Sequence, residues 1–150
     1  MCPAPAFIVL DTNIVLDVFV FNDPATQPLK DALAAQGVQW LATPPMRDEL
    51  ERVLGYPKIA ARLAFYQLSA AVVLAQFEAR VKMVDTAPKA GVTCADPDDQ
   101  KFIDLAVAHR ALLLSKDHAV LCMAKRLLGL DVRVHYAIDF VAKVHSRALL

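Results

Sequence analysis

Short apolar runs alternate along this chain with stretches whose apolar residues recur every three or four positions. "FIVL" at 7–10 is a compact apolar run ended by Asp11, as expected of a buried parallel strand. Residues 13–20 then read as helix, and "PLKDALAAQ" (28–36) as a second helix stopped by Gly37. "VQWLA" (38–42) reads as a strand with Trp40 in the core. The stretch 43–58 opens on a possible Thr43 cap and an early proline. It carries Met46, Leu50, Val53 and Leu54 on one face, and Gly55 and Pro57 end it. Residues 59–81 read as one long helix or a helical hairpin, buried where the sequence is most apolar, at 63–77. "VKMV" (81–84) reads as a short strand.

The stretch 85–99 is the most loop-like part of the chain. After it come a helix (99–110), an apolar strand "ALLLS" (111–115), a helix (117–128), a strand (131–136) and a last helix (137–150). Strands that alternate with helices predict an α/β sandwich around a mostly parallel sheet. A length of 150 residues without a boundary or repeat suits one domain, 1–150.

Composition narrows the picture. The chain is 57% hydrophobic and 21% charged, with a formal net charge of zero. That speaks against a globally basic nucleic-acid coat but allows a local basic rim. Cys2, Cys94 and Cys122 are scattered and odd in number, so a zinc knuckle or disulfide framework is disfavoured and reduced thiols are expected. The N-terminus lacks a basic region before its apolar run, so no signal peptide is expected. The apolar stretch 63–77 is too short and too polar to span a bilayer. No membrane role and a cytoplasmic location follow as expectations.

In open parallel sheets, ligands sit beyond the carboxyl ends of the strands. Asp11 follows the first strand, and Lys116 and Asp117 follow "ALLLS". Asp96, Asp98 and Asp99 precede a helix, and Asp48, Glu49 and Glu51 lie on another. Each has a structural reading: Asp11, Asp99 and Asp117 as helix caps or first-turn acids, and Glu49 and Glu51 as partners of Arg47 or Arg52. Gathered at one sheet edge, however, such acids repel unless a divalent cation neutralises them. Oxygen donors without an organised Cys or His set suit Mg²⁺ or Mn²⁺, whose usual task is phosphoryl chemistry.

Three ordered blocks carry a resemblance. "FIVLDTNIVLDVF" resembles the opening of PIN-domain nucleases, "DELERVL" their second acidic helix, and "DPDDQKFIDLAVAHRALLLSKD" their third and fourth acid region. The "DPDD" and "ELERVL" elements look most like the branch described as toxins of toxin–antitoxin systems. The resemblance implies a PIN-like three-layer α/β/α sandwich and a metal-dependent ribonuclease. Asp11, Glu49, Asp99 and Asp117 would form the acidic quartet around one or two Mg²⁺ or Mn²⁺ ions. Thr12, Asn13 and Ser115 would support them, with Asp96 and Asp98 as possible outer ligands. The implied reaction is hydrolysis of an RNA phosphodiester by a water that the cation activates.

Lys116 stands where that family often has glycine, and could grip a phosphate. With Arg47, Arg52, Lys58, Arg62 and Lys101 it could form a basic rim for RNA. The family further implies an antitoxin partner and a homodimer; the chain's high apolar content makes residues 59–81 a candidate dimer face, against the alternative of a buried helix. The alternatives are a non-catalytic PIN scaffold acting as a binding module and a phosphatase with an aspartyl nucleophile. The phosphatase chemistry wants Asp-x-Asp, and position 13 is Asn. A nucleotide-binding protein is disfavoured because the chain has no glycine-rich phosphate loop.

Overall fold

The computed structural model describes residues 6–34 and 38–136. Among these, five parallel strands form one sheet: β1 (Ala6–Leu10), β2 (Val38–Ala42), β3 (Lys82–Met83), β4 (Leu112–Leu114) and β5 (Val134–His135). Their order is β3-β2-β1-β4-β5. Ile8 pairs with Trp40 on one side and Leu112 on the other, so β1 is central. It can be central because Ile8, Val9 and Leu10 have no polar side chain to solvate on either face.

From β1 the chain moves outward to β2 and β3, then returns across β1 to β4 and β5. Right-handed crossovers in the two directions put the connecting helices on opposite faces, which makes the α/β/α sandwich. α1 (Thr12–Phe19), α2 (Gln27–Ala34), α3 (Pro44–Leu54), α4 (Pro57–Phe65) and α5 (Ala70–Arg80) belong to the outward path. α6 (Gln100–His109), α7 (His118–Leu121) and α8 (Ala124–Leu128) belong to the return. Trp40 is buried between Phe19 and Phe77, at centroid distances of 5.9 and 5.2 Å.

The structure refines several sequence expectations. Of the two readings of 59–81, one long helix or a helical hairpin, it has two helices, which meet at 91°, with Gln67 in the left-handed region (φ 57°) and Ser69 capping α5 by accepting from the Val72 N–H at 3.2 Å. Its middle is also not buried: only Leu63, Val73 and Phe77 are, while Phe65 is 74% exposed. The helix expected at 117–128 breaks at Cys122–Met123 into α7 and α8. Thr43 precedes α3 without a side-chain cap. Pro44 and Pro45 lack an N–H, and the Met46 N–H is taken by the Thr43 carbonyl at 3.0 Å. The expected stop at Gly37 and the last helix, 137–150, lie outside the described residues.

Candidate metal centre

β1 and β4 end side by side: the Asp11 N–H donates to the Leu114 carbonyl at 3.0 Å. These neighbours are also where the chain reverses its direction of travel through the sheet. A crevice opens beyond the strand ends at such a switch point.

Asp11 leaves β1 in extended backbone and caps α1, its Oδ1 accepting from the Asn13 N–H at 3.4 Å. Its Oδ2 accepts from the Ser115 hydroxyl at 2.7 Å. Ser115, fully buried at the end of β4, also accepts from the Asp117 N–H at 3.0 Å. One hydroxyl therefore ties the end of β1 to the start of α7. Asp117 caps α7 through Oδ1, which accepts from the Ala119 N–H at 2.9 Å. For Asp11 and Asp117, capping and membership of an acidic site are thus compatible. A cap occupies one oxygen and aims the carboxylate.

Asp99 is different. It precedes α6 without a side-chain cap bond, is buried, and its Oδ2 has no hydrogen-bond partner. Oxygens of Asp11, Asp99 and Asp117 lie within 4.8 Å of one another. Burial, then the hydrogen bond with Asp117 and the charges of Asp11, Asp117 and Asp96, push the Asp99 carboxyl up to about 8. Burial raises Asp11 as well, against the Ser115 hydroxyl and the Asn13 N–H, with Asp117 and Glu49 adding repulsion. Three converging carboxylates, one with an unpartnered buried oxygen, fit a hard divalent cation with oxygen ligands.

The other expected residues are placed as follows. Glu49, on α3, stands outside the three-carboxylate cluster, its oxygens accepting from the Thr12 hydroxyl and, at 2.9 Å, from Lys101 Nζ. Asn13 is exposed and meets Asp11 through its backbone N–H. Asp96 caps the short turn that leads to Asp99, its Oδ1 accepting from the Asp98 N–H at 3.0 Å, while Asp98 is exposed. The Arg47 guanidinium is engaged by Glu51 at 2.5 Å, Glu78 at 2.8 Å and Asp48 at 3.7 Å, so its partners on α3 are Glu51 and Asp48 rather than Glu49. Lys116 Nζ lies 2.5 Å from Asp17 Oδ2.

One participant escaped the sequence reading and another was given a different role. Asp17 is buried within the apolar face of α1, and Lys101, expected in a basic rim, is the partner of Glu49. An acid among core residues is itself a signal, because a buried charge needs a partner. Nothing local indicates which lysine supplies it.

The model of the PIN domain matches residues 7–119, most of the chain. No curated protein matches. Among solved structures, the crystal structure of VapBC2 from Rickettsia felis bound to a DNA fragment from their promoter contains a similar chain. The TM-score is 0.57 at 17% identity, over 85% of this chain and 98% of that one. At that identity the likeness is one of fold. The three ordered sequence blocks, the acids at the switch point of a five-stranded parallel sheet and the family match together establish that this chain belongs to the PIN-domain family.

Proposed function

We propose that this protein is a metal-dependent ribonuclease, the toxin of a toxin–antitoxin pair. The observation that carries the reading is the convergence of Asp11, Asp99 and Asp117 with a buried, unpartnered Asp99 oxygen. Those three side chains would hold Mg²⁺ or Mn²⁺. When bound, the ion lowers the pKa of a water and offsets charge that builds on a phosphate. The chain's own residues orient and support. Ser115 fixes Asp11 and the start of α7 in one register, and Thr12 holds Glu49 beside Asp11. Lys116, next to Asp117, is the candidate contact for the RNA backbone; Asp17 holds its ammonium in place until a phosphate competes. Arg47 would reach RNA only by leaving its three carboxylates.

The fold shared with a chain of VapBC2, a toxin–antitoxin complex, supports an antitoxin partner. Exposed Phe65, Tyr66 and Val72 on α4 and α5 support self-association as a homodimer. Among the described residues no single helix is long and apolar enough to cross a membrane. The reading places one domain, 1–150, in the cytoplasm.

The test is cleavage of a mixed RNA pool by wild type, Asp99→Asn and Asp117→Asn, with Mn²⁺ or with EDTA. Cleavage by wild type with Mn²⁺ alone supports the reading. Equal cleavage by all three proteins, or cleavage that survives EDTA, overturns it.

A further inference from the structure

The four acids grouped by the sequence pattern are not equivalent in space. Asp11, Asp99 and Asp117 face one another, while both Glu49 oxygens are already engaged. Its partner Lys101 is itself held on several sides. The ammonium donates to the Asp98 carbonyl as well as to Glu49, and lies 4.9 Å from the centroid of the Phe102 ring. The Lys101 and Glu49 side chains are only 22% and 13% exposed, so solvent screens their attraction weakly. Lys101 also lies two positions after Asp99, so the helix that delivers the third carboxylate delivers this cation too.

We propose that Lys101 is a resident cation that takes the place of a second divalent ion. It neutralises Glu49, positions it beside the three-carboxylate cluster, and restricts the centre to one metal. This rests on the metal-binding reading of Asp11, Asp99 and Asp117. The physical reason is like-charge exclusion. A second divalent ion drawn to Glu49 would have to approach a carboxylate that already holds an ammonium at 2.9 Å. In a partly buried site that repulsion is poorly screened. Glu49 keeps a positioning role, since its charge still acts on Asp11 and its oxygen holds Thr12, the residue after Asp11.

Calorimetric titration of the full chain with Mn²⁺, joined to electron paramagnetic resonance of the loaded protein, reads this directly. Wild type is expected to bind one Mn²⁺ and to show no exchange-coupled pair. Lys101→Met frees Glu49 and is expected to bind a second, weaker Mn²⁺ and to show the coupled signal. Lys101→Arg keeps the charge and is expected to restore a count of one. The double variant Glu49→Gln/Lys101→Met removes both partners, leaves no unpaired charge, and is expected to bind one ion. That arm and the wild-type count stand even if Lys101→Met fails to fold. Two ions bound by wild type, or one ion with unchanged affinity in folded Lys101→Met, would overturn the role of Lys101 and leave the metal centre intact. No Mn²⁺ bound by wild type would overturn the centre as well.

Discussion

Ser115 joins two halves of the site through one hydroxyl, donating to Asp11 and accepting from the Asp117 N–H. Ser115→Ala leaves both without that partner. Mn²⁺ affinity is expected to fall about 10–100-fold, as for other groups that orient a ligand. Unchanged affinity by calorimetry would remove Ser115 from the site. Asp99 has the opposite character, because its charge is a liability until something neutralises it. In the metal-free protein its carboxyl stands near 8 against an ordinary 3.8, so the folded state holds the proton more tightly than the unfolded one. Its stabilising contribution is therefore complete below about pH 3.8 and lost as pH rises through about 8. Melting in EDTA should show stability from this source declining across that window. Asp99→Asn should flatten the decline and raise the metal-free melting temperature near neutral pH. A steeper decline in the variant would contradict the assignment. Because a bound cation displaces the same proton, Mn²⁺ affinity should climb with pH over the same interval, with proton release visible in buffers of different ionisation enthalpy.

At the scale of elements, caps and breaks decide what hydropathy leaves open. α6 ends on Arg110 in the left-handed region (φ 51°), and the Ala111 N–H returns to the Ala106 carbonyl at 2.9 Å. A side chain costs roughly 1–2 kcal/mol in that conformation. Arg110 is exposed, and its contact with Asp131, at 4.0 Å, is long and solvated. Arg110→Gly is therefore expected to stabilise the protein by about 0.5–1 kcal/mol, net of glycine's greater freedom in the unfolded chain. Urea denaturation checks the sign, and a lower midpoint would refute it. The boundary between α4 and α5 teaches the same lesson. Hydropathy left one helix or two open across 59–81, and the break comes where Gln67 turns left-handed and Ser69 starts a new helix.

For the whole molecule, the sheet places the site. β1 runs through the middle with β2 and β4 as parallel neighbours, and the chain reverses its direction of travel at β1 and β4, the place at which open parallel sheets take their ligands. Leu113 is fully buried in the strand that ends beside Ser115. Leu113→Ala is expected to cost about 2–5 kcal/mol by the cavity it leaves. It should weaken Mn²⁺ binding only as far as it unfolds the protein. Excess Mn²⁺ should in turn raise the wild-type melting temperature, since a ligand at about 100 times its Kd adds about 2.7 kcal/mol. That rise should vanish in Asp99→Asn.

Local chemistry carried much of this into the sequence. An apolar run cut by an acid marks a buried strand end, because an unsolvated strand has nowhere else to put a carboxylate. That made Asp11 legible, the position of Asp117 just after a second apolar strand made it a candidate, and helical spacing made α1, α3 and α6 legible. What the sequence left open depends on who meets whom across the chain. Capping and cluster membership look alike along the chain, and only the folded chain shows Asp99 uncapped with a bare oxygen. Glu49 and Lys101, and Asp17 and Lys116, become partners only after helices from distant segments pack. A charge's environment is a three-dimensional property, set by burial and neighbours that no local pattern encodes. Residue types and periodicity determined the sheet, its helices and the acids at its edge. Tertiary packing decided which of those acids face one another and which already hold a lysine.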